Sequence, residues 1–184
     1  MRVTTSLISN RLIRYIFPIL SLLIIEISCS RNESKIPSPP TEFKMIKSHN
    51  EMSVDQIFEI KREEYYSFEL DFLYKNNVQL RELYALAGGI AYAGFYKNNS
   101  AKDIPVPVKI TISDNKGNLV LNTTIDVHGI TGNRETNSGN GFIFREITSA
   151  QLKPGIYRII VTADQPPPEF SEFEWSVGII HHVH

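Results

Sequence analysis

The chain has 184 residues, 42% hydrophobic and 21% charged, and its 19 basic and 20 acidic side chains leave a net charge of −1. Without a basic stripe, that balance argues against nucleic acid as the main partner. A lone cysteine, Cys29, excludes an internal disulfide framework.

The first fourteen residues carry Arg2, Arg11 and Arg14 and no acid, and residues 15–27 are almost wholly apolar. An apolar run of about 13 residues is too short to cross a bilayer core of roughly 30 Å as a helix, so residues 1–28 read as a secretory signal. Cys29 follows the small residue Ser28 and resembles the cysteine of a bacterial lipobox, where cleavage precedes lipid attachment. Glu26 departs from that pattern, which has an aliphatic residue three positions before the cysteine. Ser30, in place of Asp, resembles the signal for an outer-membrane destination facing the periplasm. Residues 29–42, "CSRNESKIPSPPTE", form a polar, proline-containing tether, and residues 43–184 are left for one folded domain. Loss of residues 1–28 removes three arginines and one glutamate, so the net charge moves from −1 to −3.

The domain reads as mainly β. "FKMIK" and "QIFEIK" are short strand candidates. In "EEYYSFELDFLYK", Tyr66, Phe68, Leu70, Phe72 and Tyr74 alternate with Ser67, Glu69 and Asp71, as on a strand with one buried and one solvated face. "NVQLRELYALAGG" instead places Leu80, Leu83, Tyr84 and Ala87 on one helical face, with Asn76 or Asn77 to cap its start and Gly88-Gly89 to end it. Residues 104–127 read as a hairpin turning at Asn115 to Gly117, and Pro105 and Pro107 make its first strand begin at a sheet edge.

"FIFREI", "GIYRIIVTA" and "FEWSVGIIHHV" complete the strands. Pro154-Gly155 forms a turn from which Tyr157 enters the core. The expected fold is an antiparallel β-sandwich, immunoglobulin-like or transthyretin-like, with one short helix.

"YYSFELDFLYKNN", "LRELYALAGG", "IPVPVKITI", "LKPGIYRIIVTADQPPPEF" and "WSVGI" follow one another in an order that resembles a family of small bacterial exported lipoproteins catalogued as a domain of unknown function. The resemblance covers residues 55–180. It implies a compact, mainly β, exported domain on a lipid tether, and it carries over no catalytic residue.

Four groups are candidates for chemistry or contact. Glu69 and Asp71 lie about 6.6 Å apart on one strand face, given a rise near 3.3 Å per residue, and could divide acid and base roles; a solvated sheet face is the simpler reading. Residues 129–141, "GITGNRETNSGNG", lack the lysine and helix of a phosphate loop and read as a mobile loop. Its tip residues Arg134 and Glu135 are candidate partner contacts. His181, His182 and His184 suit a metal only if His128 comes close, and a frayed terminus is the simpler reading, so no metal or cofactor is assigned. In "PPPEFSEFEW", Phe173 and Trp175 read as core, and Phe170 is left as a third candidate contact, in an acidic setting suited to a basic partner.

No nucleophile elbow, zinc signature or dinucleotide fingerprint occurs. The function expected from the sequence is therefore an envelope lipoprotein, anchored to the membrane through Cys29, whose non-enzymatic sandwich binds another protein in a scaffold, accessory or immunity role. A glycan hydrolase or ligand-binding protein of the envelope is the alternative.

Overall fold

Ten strands and one α-helix make up the described part of the chain, which in this computed structural model comprises residues 35–88, 102–135 and 139–181. Cys29, His182 and His184 lie outside it. Two five-stranded antiparallel sheets form a sandwich, with strand orders β1-β10-β4-β8-β7 and β2-β3-β9-β5-β6. In chain order the strands are β1 (Thr41–Lys44), β2 (Ile46–Ser48), β3 (Glu51–Ile60), β4 (Glu64–Tyr74), β5 (Val106–Asp114), β6 (Leu119–Val127), β7 (Gly132–Glu135), β8 (Gly141–Leu152), β9 (Gly155–Asp164) and β10 (Glu174–His181).

The alternation in β4 specifies the core. Phe68, Leu70, Phe72 and Tyr74 are fully buried, and the cross-strand register brings Val177 opposite Leu70 and Trp175 opposite Phe72. On the second sheet, Val108, Ile110 and Ile112 of β5 and Ile159 and Val161 of β9 supply the facing layer. Phe72 stacks on Phe170 at 4.9 Å and meets Trp175 edge-on at 4.9 Å, a cluster worth about 1 kcal/mol per ring pair beyond its area.

Local chemistry fixes the ends of several elements. Asn76 caps helix α1 (Asn77–Ala87) by accepting from the amides of Val78 and Gln79 at 2.9 and 3.0 Å. Gly88, at φ 71°, closes it through a bond from its own amide to the Tyr84 carbonyl. At the β5–β6 turn, the Asp114 carboxylate accepts from the Lys116 and Asn118 amides, each at 2.8 Å. Two tyrosines pin chain entries in the same way. The Tyr66 hydroxyl donates to the Arg62 carbonyl at 3.0 Å, and the Tyr157 hydroxyl donates to the Lys153 carbonyl at 2.9 Å.

The start of β5 lies at a sheet edge, as its prolines require, because pairing with β9 begins only at Lys109, while β6 is the edge strand beyond it. Two expectations change. Within residues 129–141, β7 pairs with β8 from Gly132 to Glu135, so part of the expected loop is a sheet edge. The Pro37 carbonyl accepts from the Glu59 amide at 2.8 Å and β1 begins at Thr41, so the end of the expected tether is held by the sandwich.

Candidate functional site

Two places on the sandwich bring chemically active side chains together. The first is the outer face of the sheet that contains β4, where Glu69 and Asp71 project from the central strand. They are not solvated: Glu69 is 2% and Asp71 1% exposed. Their neighbours explain how carboxylates fit so closely there. Gly178 stands opposite Glu69 and Ser176 opposite Asp71 on β10. A Cβ on Gly178 would lie 2.9 Å from Asp71 Oδ2 and 3.5 Å from Glu69 Oε2, so the glycine leaves the acids the space they occupy.

Arg134 of β7 pairs with Glu69 and lays its guanidinium over the Phe144 ring, 4.2 Å from the centroid. Ser176 donates to Glu42 of β1. Asp71 Oδ1 has no hydrogen-bond partner among the described residues. Burial, reinforced by the nearby Glu69 charge, pushes the Asp71 carboxyl up to about 8, so it holds its proton at neutral pH. Burial also raises Glu69, against the pull of the Arg134 hydrogen bond. The pair thus combines a protonated acid with a carboxylate held by arginine, a division suited to acid–base chemistry if a substrate reached it.

The second place is a cleft of about 1140 Å³ at the mouth of the sandwich, where β1 bends into β2 and the β9–β10 connection crosses. Its floor is apolar and continuous with the core: Met45, Met52, Phe173 and Trp175 are 3%, 7%, 8% and 2% exposed. Lys44, Lys47 and His49 also line it, and Asn50, Gln165 and Ser171 add neutral polar groups.

Lys47 is cross-strand partner to Met52, so it takes the same register face as that buried methionine while remaining exposed itself. Among the described residues, neither Lys47 nor His49 has an ionic partner, whereas Lys44 pairs with Glu174 at 2.7 Å. Glu174, the one acid among the cleft's described lining residues, is also held by Lys75 at 3.1 Å, and these lysines keep its carboxyl below the ordinary range. His49 and Gln165 both adopt φ 50°, and the Gln165 amide donates to the Asn50 carbonyl at 2.7 Å. Two non-glycine residues in the left-handed region at one rim mark a backbone shaped at some cost.

The three expected contact residues do not converge. Phe170 is fully buried, stacked on Phe72, with its carbonyl accepting from Trp175 Nε1 at 3.1 Å; that burial rules it out as a surface contact. Arg134 is engaged with Glu69, and Glu135 is exposed beside it on the edge strand β7. His181 Nδ1 lies 2.8 Å from Glu64 Oε2, while His128 meets Asp103 at 3.4 Å, so the two histidines serve different carboxylates. Among the described residues, no group of three or more His, Cys, Asp or Glu side chains could hold a metal, and no helix is long and apolar enough to cross a membrane.

Sequence reading missed Lys47 and Arg145. Arg145 lies fully buried on the inner face of β8, its Nη1 donating to the Ile104 and Val127 carbonyls at 2.8 and 3.1 Å. Each carried a signal, a cation at an apolar register position: Lys47 with Met45, and Arg145 between Ile143 and Ile147.

A crystal structure of a Sulfurospirillum deleyianum protein resembles this chain with a TM-score of 0.55 at 15% identity, over 79% of this chain and 99% of that one. At that identity the likeness shows the fold alone. An alpha-L-fucosidase from Vibrio sp. strain EJY3 aligns with a TM-score of 0.43 at 7% identity, over 81% of this chain and 24% of the fucosidase, which supports no functional argument. Comparison with curated proteins gave no match. The family described as "Domain of unknown function (DUF5625)" matches residues 40–181, and the chain belongs to it.

Proposed function

We propose that the chain is an exported envelope lipoprotein, held at the outer membrane through Cys29, whose sandwich works by binding another protein rather than by catalysis. The observation that carries this reading is the cleft. It joins an apolar floor containing Met45, Met52 and Trp175 to Lys47, a cation with no ionic partner among the described residues, and the one carboxylate among its described lining residues is neutralised by two lysines. Adaptable methionines beside an aromatic ring suit partner recognition. A tethered domain with such a seat fits a scaffold, accessory or immunity role.

A photo-crosslinking residue at the position of Ile46, which is 70% exposed on the rim, tests the seat in living cells. One partner should be trapped there, and none from the outer face of β9. The anchor has its own test. Cys29→Ser should leave the membrane fraction and take up no labelled fatty acid, because each buried methylene of the acyl chains contributes about 0.8 kcal/mol to membrane binding. A variant that stays on the membrane at full precursor mass would disprove lipidation.

A second reading rests on the protonated Asp71 beside Glu69. It makes the outer face a hydrolytic site for envelope glycan. Turnover of cell-wall fragments that disappears in both Glu69→Gln and Asp71→Asn would establish it over the binding reading.

A further inference from the structure

We infer that the occupant of the cleft is an extended, acidic and apolar segment of the partner protein, an identification that rests on the cleft being the binding seat. The sign of the charge comes first. Lys44, Lys47 and His49 arise within six residues of chain and all line the cleft. Only Lys44 has an ionic partner among the described residues, so the rim presents unneutralised positive charge over an apolar floor. Phe170, the expected contact for a basic partner, is buried, although Glu169 and Glu172 beside it are exposed.

Extended peptide fits the remaining features. β2 is the edge strand of its sheet, and all three of its residues are exposed, so its outer backbone groups can accept an added strand. Asn50, Gln165 and Ser171 on the rim offer amide and hydroxyl groups that match peptide N–H and C=O groups. The volume, about 1140 Å³, exceeds what one acyl chain fills, and the register face that Lys47 shares with Met52 places a cation where an acidic side chain alternating with apolar ones would meet it.

Trp175, the chain's one tryptophan, lines the cleft, so its fluorescence reports occupancy directly. The chain, held in neutral phosphatidylcholine vesicles, is titrated with a short peptide alternating leucine and aspartate, with its leucine–lysine counterpart, and with laurate. The leucine–aspartate peptide should shift Trp175 saturably, and the lysine peptide should not. Lys47→Glu, a change at an exposed position, should weaken the aspartate peptide by about fivefold and create binding of the lysine peptide. Equal affinity for the aspartate peptide in wild type and Lys47→Glu would overturn the inference. A response to laurate alone would replace the peptide with an anionic amphiphile while leaving the cleft as the seat. Silence of Trp175 toward every probe, together with no crosslink at the Ile46 position, would remove both the inference and the reading beneath it.

Discussion

The outer faces of the two sheets obey the same alternation and meet opposite environments. On the sheet that contains β9, Arg158 reaches across to Asp55 with its Nε 2.7 Å from Oδ1, and both side chains are about half exposed. Ile57 and Ile156 stand nearby, 51% and 38% exposed, as scattered apolar residues do on a solvated face. On the sheet that contains β4, the central outward positions Ser67, Glu69 and Asp71 are buried. Glu69 is neutralised by Arg134, Asp71 keeps its proton, and Gly178 supplies the room. A carboxylate in water tolerates its neighbours; a buried one dictates which residues can stand beside it.

That contrast is broken most directly by pH. In the folded chain Asp71 titrates near 8 against an ordinary value of 3.8, so between those values the folded state binds a proton that the unfolded state has released. Stability should therefore fall by a few kcal/mol as pH climbs from about 4 to about 8, and level off above. Asp71→Asn should flatten that slope and exceed the wild type in stability at pH 9, as read by urea denaturation across the range. A slope unchanged in the variant would place the titration elsewhere. Glu69, Glu42, Glu146 and Glu174 are the other acids in register on that face, and Arg134 and Lys44 are its cations.

Packing offers the next test. Gly178→Ala puts a Cβ 2.9 Å from Asp71 Oδ2 and should cost about 2 kcal/mol, because backbone-borne bulk meets a buried carboxylate that cannot move freely. The same change at Gly155, where a Cβ meets nothing nearer than 3.6 Å, should be far milder. Charge deletion sharpens the comparison further. Arg134→Ala strands Glu69 and should cost about 1.5 kcal/mol, reduced from the cost of a fully buried pair because Arg134 is 41% exposed. Arg158→Ala, on the solvated face, should leave the urea midpoint within error. Equal effects of the two arginine deletions would mean that the outer faces do not differ.

Much of the fold was legible because its signals are local. Asn76 and Gly88 bound the helix by satisfying its own first amides and last carbonyls, whatever packs on it. The core side of β4 followed from period two, and Tyr157 returned to the Lys153 carbonyl four residues back. The candidate site was legible only in pieces. Glu69 and Asp71 stood out as a pair, but the same spacing describes a solvated face and a buried one. Arg134 stood out as a loop tip, yet its partner lies 65 positions earlier in the chain.

The amino-acid sequence by itself determined which residues share a face, where the helix starts and stops, and that the domain is a β-sandwich. Backbone periodicity and capping act over a few residues and need no distant partner. Only the tertiary structure decided what covers each face. It buried Phe170 against Phe72, put Gly178 opposite Glu69, and set Lys47 opposite Met52 at the mouth of the cleft. Those outcomes depend on which strands become neighbours, and in an antiparallel sandwich pairing joins β1 to β10 and β3 to β9 across 95 to 138 residues. No local window contains that information, because the free energy that selects the pairing is collected over both sheets at once.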